Sequence, residues 1–309
     1  MQFEVGVHMK GGAISAQMQA FHHTGQNYRD LDLDRPGREQ ETIMTTCRIG
    51  DLELYYEVHG AGAPIVLIAG YTCDHTFWDA MVPDLAQHFQ VVVFDNRAVG
   101  RSKDNGKAFS METLADDAAG LIRHLGLSRP ALVGQSMGGA IVQTMLARHA
   151  GICGQCAIVN STRSFSATTL LALDTLLALR RADVDFDLQV DVGLPWFAGK
   201  AWLAMPGNIA AYKDVLRKHP APQSLADQER QLHALKTFGA GAGNRPWPYP
   251  ALVVSSEEDL ITTPAEGKAL AASLDAAYAE IPGGHPSPME QPVKLAGILA
   301  AFFSGMKAR

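Results

Sequence analysis

Cysteine is scarce in this chain: Cys47, Cys73, Cys153 and Cys156 are the whole complement of 309 residues. So few thiols in so long a chain cannot make a disulfide framework, and they fit a reducing compartment. Positive charge is not in excess either. Lys plus Arg total 26 against 32 Asp plus Glu, a net charge of -6, so nothing is available to neutralise a phosphate backbone and nucleic acid is not an expected partner. No stretch approaches the roughly 18 uninterrupted apolar residues of a membrane span. The opening MQFEVGVHMKGGAISAQMQAF lacks a charged start, an apolar block and a small-residue cleavage site. No membrane association is expected, and the cytoplasm is the expected location. Internal repeats are missing as well, which excludes solenoids and propellers.

Apolar residues, by contrast, make up 47% of the chain, enough for a large core. Residues 1–43 are polar and mixed in charge (RDLDLDRPGREQE), with no sustained period, and read as a weakly ordered extension. Beyond them, short β-rich runs alternate with helical patterns: Leu52 to Val58, Ile65 to Ile68, Val91 to Phe94, Ala131 to Val133, Cys156 to Val159, Ala251 to Val254 and Ala277 to Ile281. Buried strands separated by helix-length segments predict a mostly parallel, doubly wound sheet covered on both faces. Ser110 is placed to cap a helix whose apolar stripe runs through Met111, Leu114, Ala115, Ala118, Ile122 and Leu125. Leu295, Ile298, Leu299, Phe302 and Phe303 repeat the stripe near the end of the chain. Residues 162–245 break the alternation with leucine-rich helical pattern and aromatic clusters, and read as an inserted helical cap between core segments 44–161 and 246–309.

Chemistry concentrates in three places. Gly134-Gln135-Ser136-Met137-Gly138 lies between a strand and a helix, where a sharp turn strains its central residue and requires small neighbours two positions away. A serine hydroxyl there needs a base to take its proton and an acid to orient the base. Glu257, Glu258 and Asp259 follow the strand ALVVSS, and Gly283-Gly284-His285 follows the strand AAYAEIP, in the order Ser, acid, His. Position alone leaves the three acids as alternatives, while Asn160, at the end of the preceding strand, cannot carry charge. Cys153-Gly154-Gln155-Cys156 has the spacing of a redox or metal pair, but no second ligand pair accompanies it and Cys156 opens a buried strand, so packing is the reading. His22 and His23 have no acidic or Cys partner nearby. No metal or cofactor is expected.

Over about residues 44–309 the chain resembles the α/β-hydrolase superfamily, through IVLIAGYTCDHTFW, VVVFDNRAVGRS, LVGQSMGGA, ALVVSSEEDLITTP and IPGGHPSPMEQP. The resemblance implies an α/β-hydrolase fold with Ser136 as nucleophile, Asp259 as acid and His285 as base. It also implies an oxyanion hole made by the backbone amides of Tyr71 and Met137. The chain departs from the family's pattern at Ala69, Ser256 and Ala98. Asp95 and Arg97 resemble a loop-bracing motif and read as a structural ion pair.

The expected function is hydrolysis of a small, largely apolar carboxylic ester or lactone through an acyl-enzyme, with Trp196, Phe197 and Trp202 of the cap as candidate substrate-binding residues. The compact cap and DNR-type motif look like enol-lactonases and small methyl esterases. Two alternatives are a carbon-carbon bond hydrolase of the same fold and a slow-turnover ligand receptor. Relatives acting on haloalkanes or epoxides carry Asp at the position of Ser136, which disfavours those reactions.

Overall fold

The protein is described by a computed structural model covering residues 43–239 and 247–305. The expected extension lies outside the described residues apart from Ile43, as do His22, His23 and the boundary at residue 246. Among the described residues one eight-stranded sheet forms from β1 (Ile43–Ile49), β2 (Leu52–His59), β3 (Ala63–Ile68), β4 (Phe89–Phe94), β5 (Ala131–Gln135), β6 (Gln155–Val159), β7 (Ala251–Ser256) and β8 (Ala277–Ile281). Their spatial order is β1-β2-β4-β3-β5-β6-β7-β8, antiparallel across β1, β2 and β4 and parallel elsewhere. The mostly parallel sheet is as expected, and β1 is an addition. Only Cys47 is buried in its sequence IMTTCRI, so no apolar alternation marks it and pairing with β2 makes it a strand.

Alternate residues of the central strands feed two cores, as the period of two requires. Val66, Ile68, Val92, Phe94, Leu132 and Ile158 face one side, where α1 (Met111–His124), α2 (Met137–Arg148) and α8 (Pro264–Leu274) pack. Ile65, Leu67, Val91, Val93, Val133 and Val254 face the other, covered by Trp78, Met81 and Leu85 and by α9 (Pro292–Ser304). On α9, Leu295, Leu299, Phe302 and Phe303 are buried, each worth about 1.5–3 kcal/mol relative to exposure. Ser110 caps α1 as expected, accepting the Thr113 N–H in a capping box. Cys153 and Cys156 are buried free thiols, and burial pushes Cys153 up to about 12.

Between β6 and β7 run α3 (Ala167–Arg181), α4 (Phe186–Phe197), α5 (Lys200–Ala204), α6 (Asn208–Arg217) and α7 (Leu225–Lys236). Ser166, Asp185 and Ser224 cap α3, α4 and α7 by accepting an N–H three residues on. The chain order reverses its direction across the sheet between β3 and β5, so the crevice outside their carboxyl ends is where such a sheet holds ligands.

Asp95 and Arg97 do not pair with each other, contrary to the sequence reading. The Asp95 carboxylate accepts the His75 N–H at 2.8 Å and the Arg101 N–H at 2.6 Å, and lies 2.6 Å from His75 Nδ1. Burial works against the His75 cation, but Asp95, with Asp74 and Glu57, outweighs it and raises its pKa above the usual histidine value. Arg97 instead forms a two-pronged pair with Asp117 (Nε to Oδ2, 2.8 Å; Nη2 to Oδ1, 2.9 Å) and also donates to Asp51. Its guanidinium and Asp117 are both buried. Arg97→Ala therefore leaves a buried carboxylate without its partner, and urea denaturation at neutral pH is expected to show a loss of about 3–5 kcal/mol. Adding Asp117→Leu should recover much of that loss; a double variant as unstable as the single one would refute the account.

Candidate active site

The turn from β5 into α2 puts Ser136 at φ 54°, ψ -117°, a left-handed conformation costly for a residue with a side chain. The turn closes because its neighbours are glycines. A Cβ on Gly134 would collide with the Gly138 carbonyl, and one on Gly138 with the Ile68 carbonyl of β3. The Ser136 N–H donates to Val159 O at 3.0 Å, and Ser136 O accepts from Ser161 Oγ at 2.7 Å. The serine side chain is thereby held at the carboxyl edge of the sheet.

The turn after β8 brings His285 to it, with Nε2 2.9 Å from Ser136 Oγ. On the far side of the ring, Nδ1 lies 2.8 Å from Asp259 Oδ2. That contact assigns the Nδ1 proton toward the carboxylate and leaves Nε2 as acceptor for the serine hydroxyl. Asp259 is 2% exposed. Its Oδ1 accepts the Ile261 and Thr262 N–H groups at 2.8 and 2.9 Å, and its Oδ2 accepts Thr262 Oγ1 at 2.9 Å. The sequence alternatives separate here: Glu257 is exposed, and Glu258 Oε2 accepts the Lys200 N–H at 3.0 Å. Asp259 is the acid that reaches His285.

Gly70 lies against the elbow, where a Cβ would come within 2.5 Å of Gln135 Oε1 and 3.2 Å of Ser136 Cβ. This close approach lays Gly70, the residue before Tyr71, against the serine, while Met137 opens α2 immediately after it. The loop is fixed from behind: Ala69 O accepts Asn96 Nδ2 at 3.2 Å, and the Thr72 N–H donates to Gln231 Oε1 of α7 at 3.1 Å. Tyr71 Oη reaches Gln228 O at 3.3 Å. Burial raises the Tyr71 phenol, and pushes Cys73 and Tyr212 up to about 12. All three are uncharged near neutral pH.

The three aromatic candidates divide. Phe197 is at the site, its ring centroid 6.0 Å from that of His285. Trp202 packs edge-on against Tyr212. Trp196 instead lines a groove of about 170 Å³ between α3 and α4 with Leu171, Leu176 and Val192.

Three residues given no part by the sequence also shape the site. Asn160, buried and at φ 44°, donates from Nδ2 to His285 O at 2.8 Å and accepts the Ser256 N–H at 2.7 Å. Gln135 Nε2 donates to the same His285 carbonyl at 3.1 Å. Gln231 links the Thr72 amide to Arg97 O. These contacts join residues far apart in the chain, and no local spacing reveals them.

The sequence model for the alpha/beta hydrolase fold matches residues 63–292. An esterase from Thermogutta terrifontis is 26% identical, with TM-score 0.72 over 87% of this chain and 99% of its own. The enol-lactonase from Burkholderia xenovorans LB400 is 25% identical, with TM-score 0.74 over 84% and 99%. A protein of Caulobacter sp. (strain K31), provisionally named carbamate hydrolase RutD, is 26% identical over 82% of this chain and 97% of its own. Matched over most of its length by the family model, this chain belongs to the α/β-hydrolase family of hydrolytic enzymes.

Proposed function

We propose that the protein is a serine hydrolase cleaving a carboxylic ester or lactone of a small, largely apolar substrate through an acyl-enzyme. The observation that carries this reading is the relay at one imidazole: Nε2 at 2.9 Å from Ser136 Oγ and Nδ1 at 2.8 Å from the buried Asp259 carboxylate. His285 takes the serine proton as Ser136 Oγ attacks the substrate carbonyl carbon, and Asp259 stabilises the imidazolium that forms. The carbonyl oxygen becomes an oxyanion held by the Tyr71 and Met137 amides, each such donor being worth about 10²–10³ in rate. His285 then returns the proton to the leaving alkoxide. A water deprotonated by His285 attacks the acyl carbon in the second half, freeing the acid and restoring Ser136.

The helices between β6 and β7 act as a cap. Phe197 supplies an apolar wall beside the base, and Gln228 and Gln231 reach the oxyanion loop. The names of the Thermogutta esterase and the Burkholderia enol-lactonase favour an ester or lactone substrate. The four free thiols are in keeping with a cytoplasmic location.

Ser136→Ala is expected to keep the parent's thermal midpoint and lose hydrolysis of a short p-nitrophenyl ester by several orders of magnitude. A fluorophosphonate should add once per parent chain, at Ser136; retained activity in Ser136→Ala, or labelling elsewhere, would end the acyl-enzyme reading. Asp259→Asn should lower kcat by about 10⁴, whereas Glu257→Gln leaves it within about threefold, because only the former disturbs the tautomer and the imidazolium. Equal losses at the two positions in steady-state assays would move the acid elsewhere.

A further inference from the structure

Phe197 ends α4 two residues after Pro195, whose ring removes a donor from the helix ladder. Its carbonyl is one of the acceptors a helix leaves open at its C-terminus, and the His285 N–H fills it at 2.7 Å. Two residues on, the Gly199 N–H donates to Glu290 Oε1 at 2.9 Å. The other oxygen of the same carboxylate accepts the Gly284 N–H at 2.8 Å. Glu290 thus joins the cap segment to the turn that carries the base. Glycines make the approach possible: a Cβ on Gly199 would come within 2.8 Å of both Glu290 Oε2 and the Gly284 nitrogen. One on Gly284 would collide with the Phe197 carbonyl, and Gly283, at φ 102°, has Glu290 Oε2 2.6 Å from where its Cβ would be.

We propose that Glu290 is a positioning residue of the hydrolytic site: by accepting the Gly199 and Gly284 amides on its two oxygens, it locks the Gly283–His285 turn against residues 197–200 and holds His285 Nε2 within reach of Ser136. This inference rests on the reading of Ser136 and His285 as nucleophile and base. Glu290 sits five residues beyond His285 and touches no reacting atom, so its effect passes through the backbone of the turn. Displacing a reacting group by about 1 Å costs on the order of 10² in rate, which sets the scale of what a slackened turn would lose.

Glu290→Gln keeps the side chain's size but turns one of the two acceptors into a donor facing a backbone N–H. Gly199→Ala leaves Glu290 intact and wedges the same contact apart from the cap side. With a short p-nitrophenyl ester, each variant is expected to lose about 10- to 100-fold in kcat with KM within about threefold, a loss confined to the chemical step. Fluorophosphonate labelling of Ser136 should slow by the same factor. Ser110→Ala, which removes the cap of α1 far from the site, provides the stability control and should keep parental kcat and labelling despite a lowered thermal midpoint. Parental kcat and labelling in Glu290→Gln would overturn the proposal, as would kcat losses in both variants no larger than that of Ser110→Ala. If Glu290→Gln does not fold, Gly199→Ala decides the question by the same readouts. A parent that does not label at Ser136 overturns the hydrolase reading itself, and this inference with it; a labelling parent matched by an equally fast Glu290→Gln overturns the inference alone.

Discussion

Ser136 occupies a backbone conformation that costs of order 1–3 kcal/mol, and the carboxyl end of the sheet is built so that this turn has no alternative. Gly134 and Gly138 let β5, α2 and β3 approach to backbone contact. The Ser136 N–H is engaged by Val159 of β6, and its carbonyl is shared by Ser161 Oγ and the Gly139 N–H. The strain is therefore carried by three strands of a sheet whose two faces are both packed. A turn at the rim of a half-exposed sheet would have no comparable support.

Around that fixed point, neutral amide side chains share the aiming with the Asp259 and Glu290 carboxylates. Asn160 and Gln231 each use both ends of a carboxamide, accepting one backbone N–H and donating to one backbone carbonyl. A buried amide can satisfy both ends with main-chain partners and needs no counter-charge, whereas a buried ion requires one. Two of the buried ionic pairs, Arg97 with Asp117 and His75 with Asp95, include neither Ser136 nor His285. The His285 ring meets Ser136 at Nε2 and Asp259, with Thr262 Oγ1 at 3.5 Å, at Nδ1, and its main chain is held at N–H by Phe197 and at C=O by Asn160 and Gln135.

What could be read in the sequence follows from the range of the interaction that determines each feature. The central strands, the Ser110 cap and the elbow at Ser136 are local patterns of period, capping and turn chemistry, and they appear where expected. Strand β1 depends on its partner, because most of its side chains are exposed and its sequence has no apolar alternation. Asp95 and Arg97 are close in sequence and look like a pair, yet backbone direction sends one to His75 and the other to Asp117 and Asp51. Among Glu257, Glu258 and Asp259 position alone does not choose; the family resemblance implies Asp259, and the geometry agrees with it: an exposed side chain, one turned to the Lys200 amide, and one buried against the imidazole. The tryptophan and phenylalanine at 196 and 197 look alike as composition. Successive residues on a helix point about 100° apart, so one meets His285 and the other the α3 groove.

The same reasoning distributes stiffness within the segment between β6 and β7. Residues 197–200 are bound through main-chain atoms to His285, Glu290 and Glu258, so lifting this stretch would also pull on His285. α5 and α6 have no fully buried residue, although the Tyr212 phenol of α6 is enclosed enough to be raised by burial, and elements with little buried surface open locally at small free-energy cost. The segment therefore joins a tether at the imidazole to a lightly held outer pair of helices.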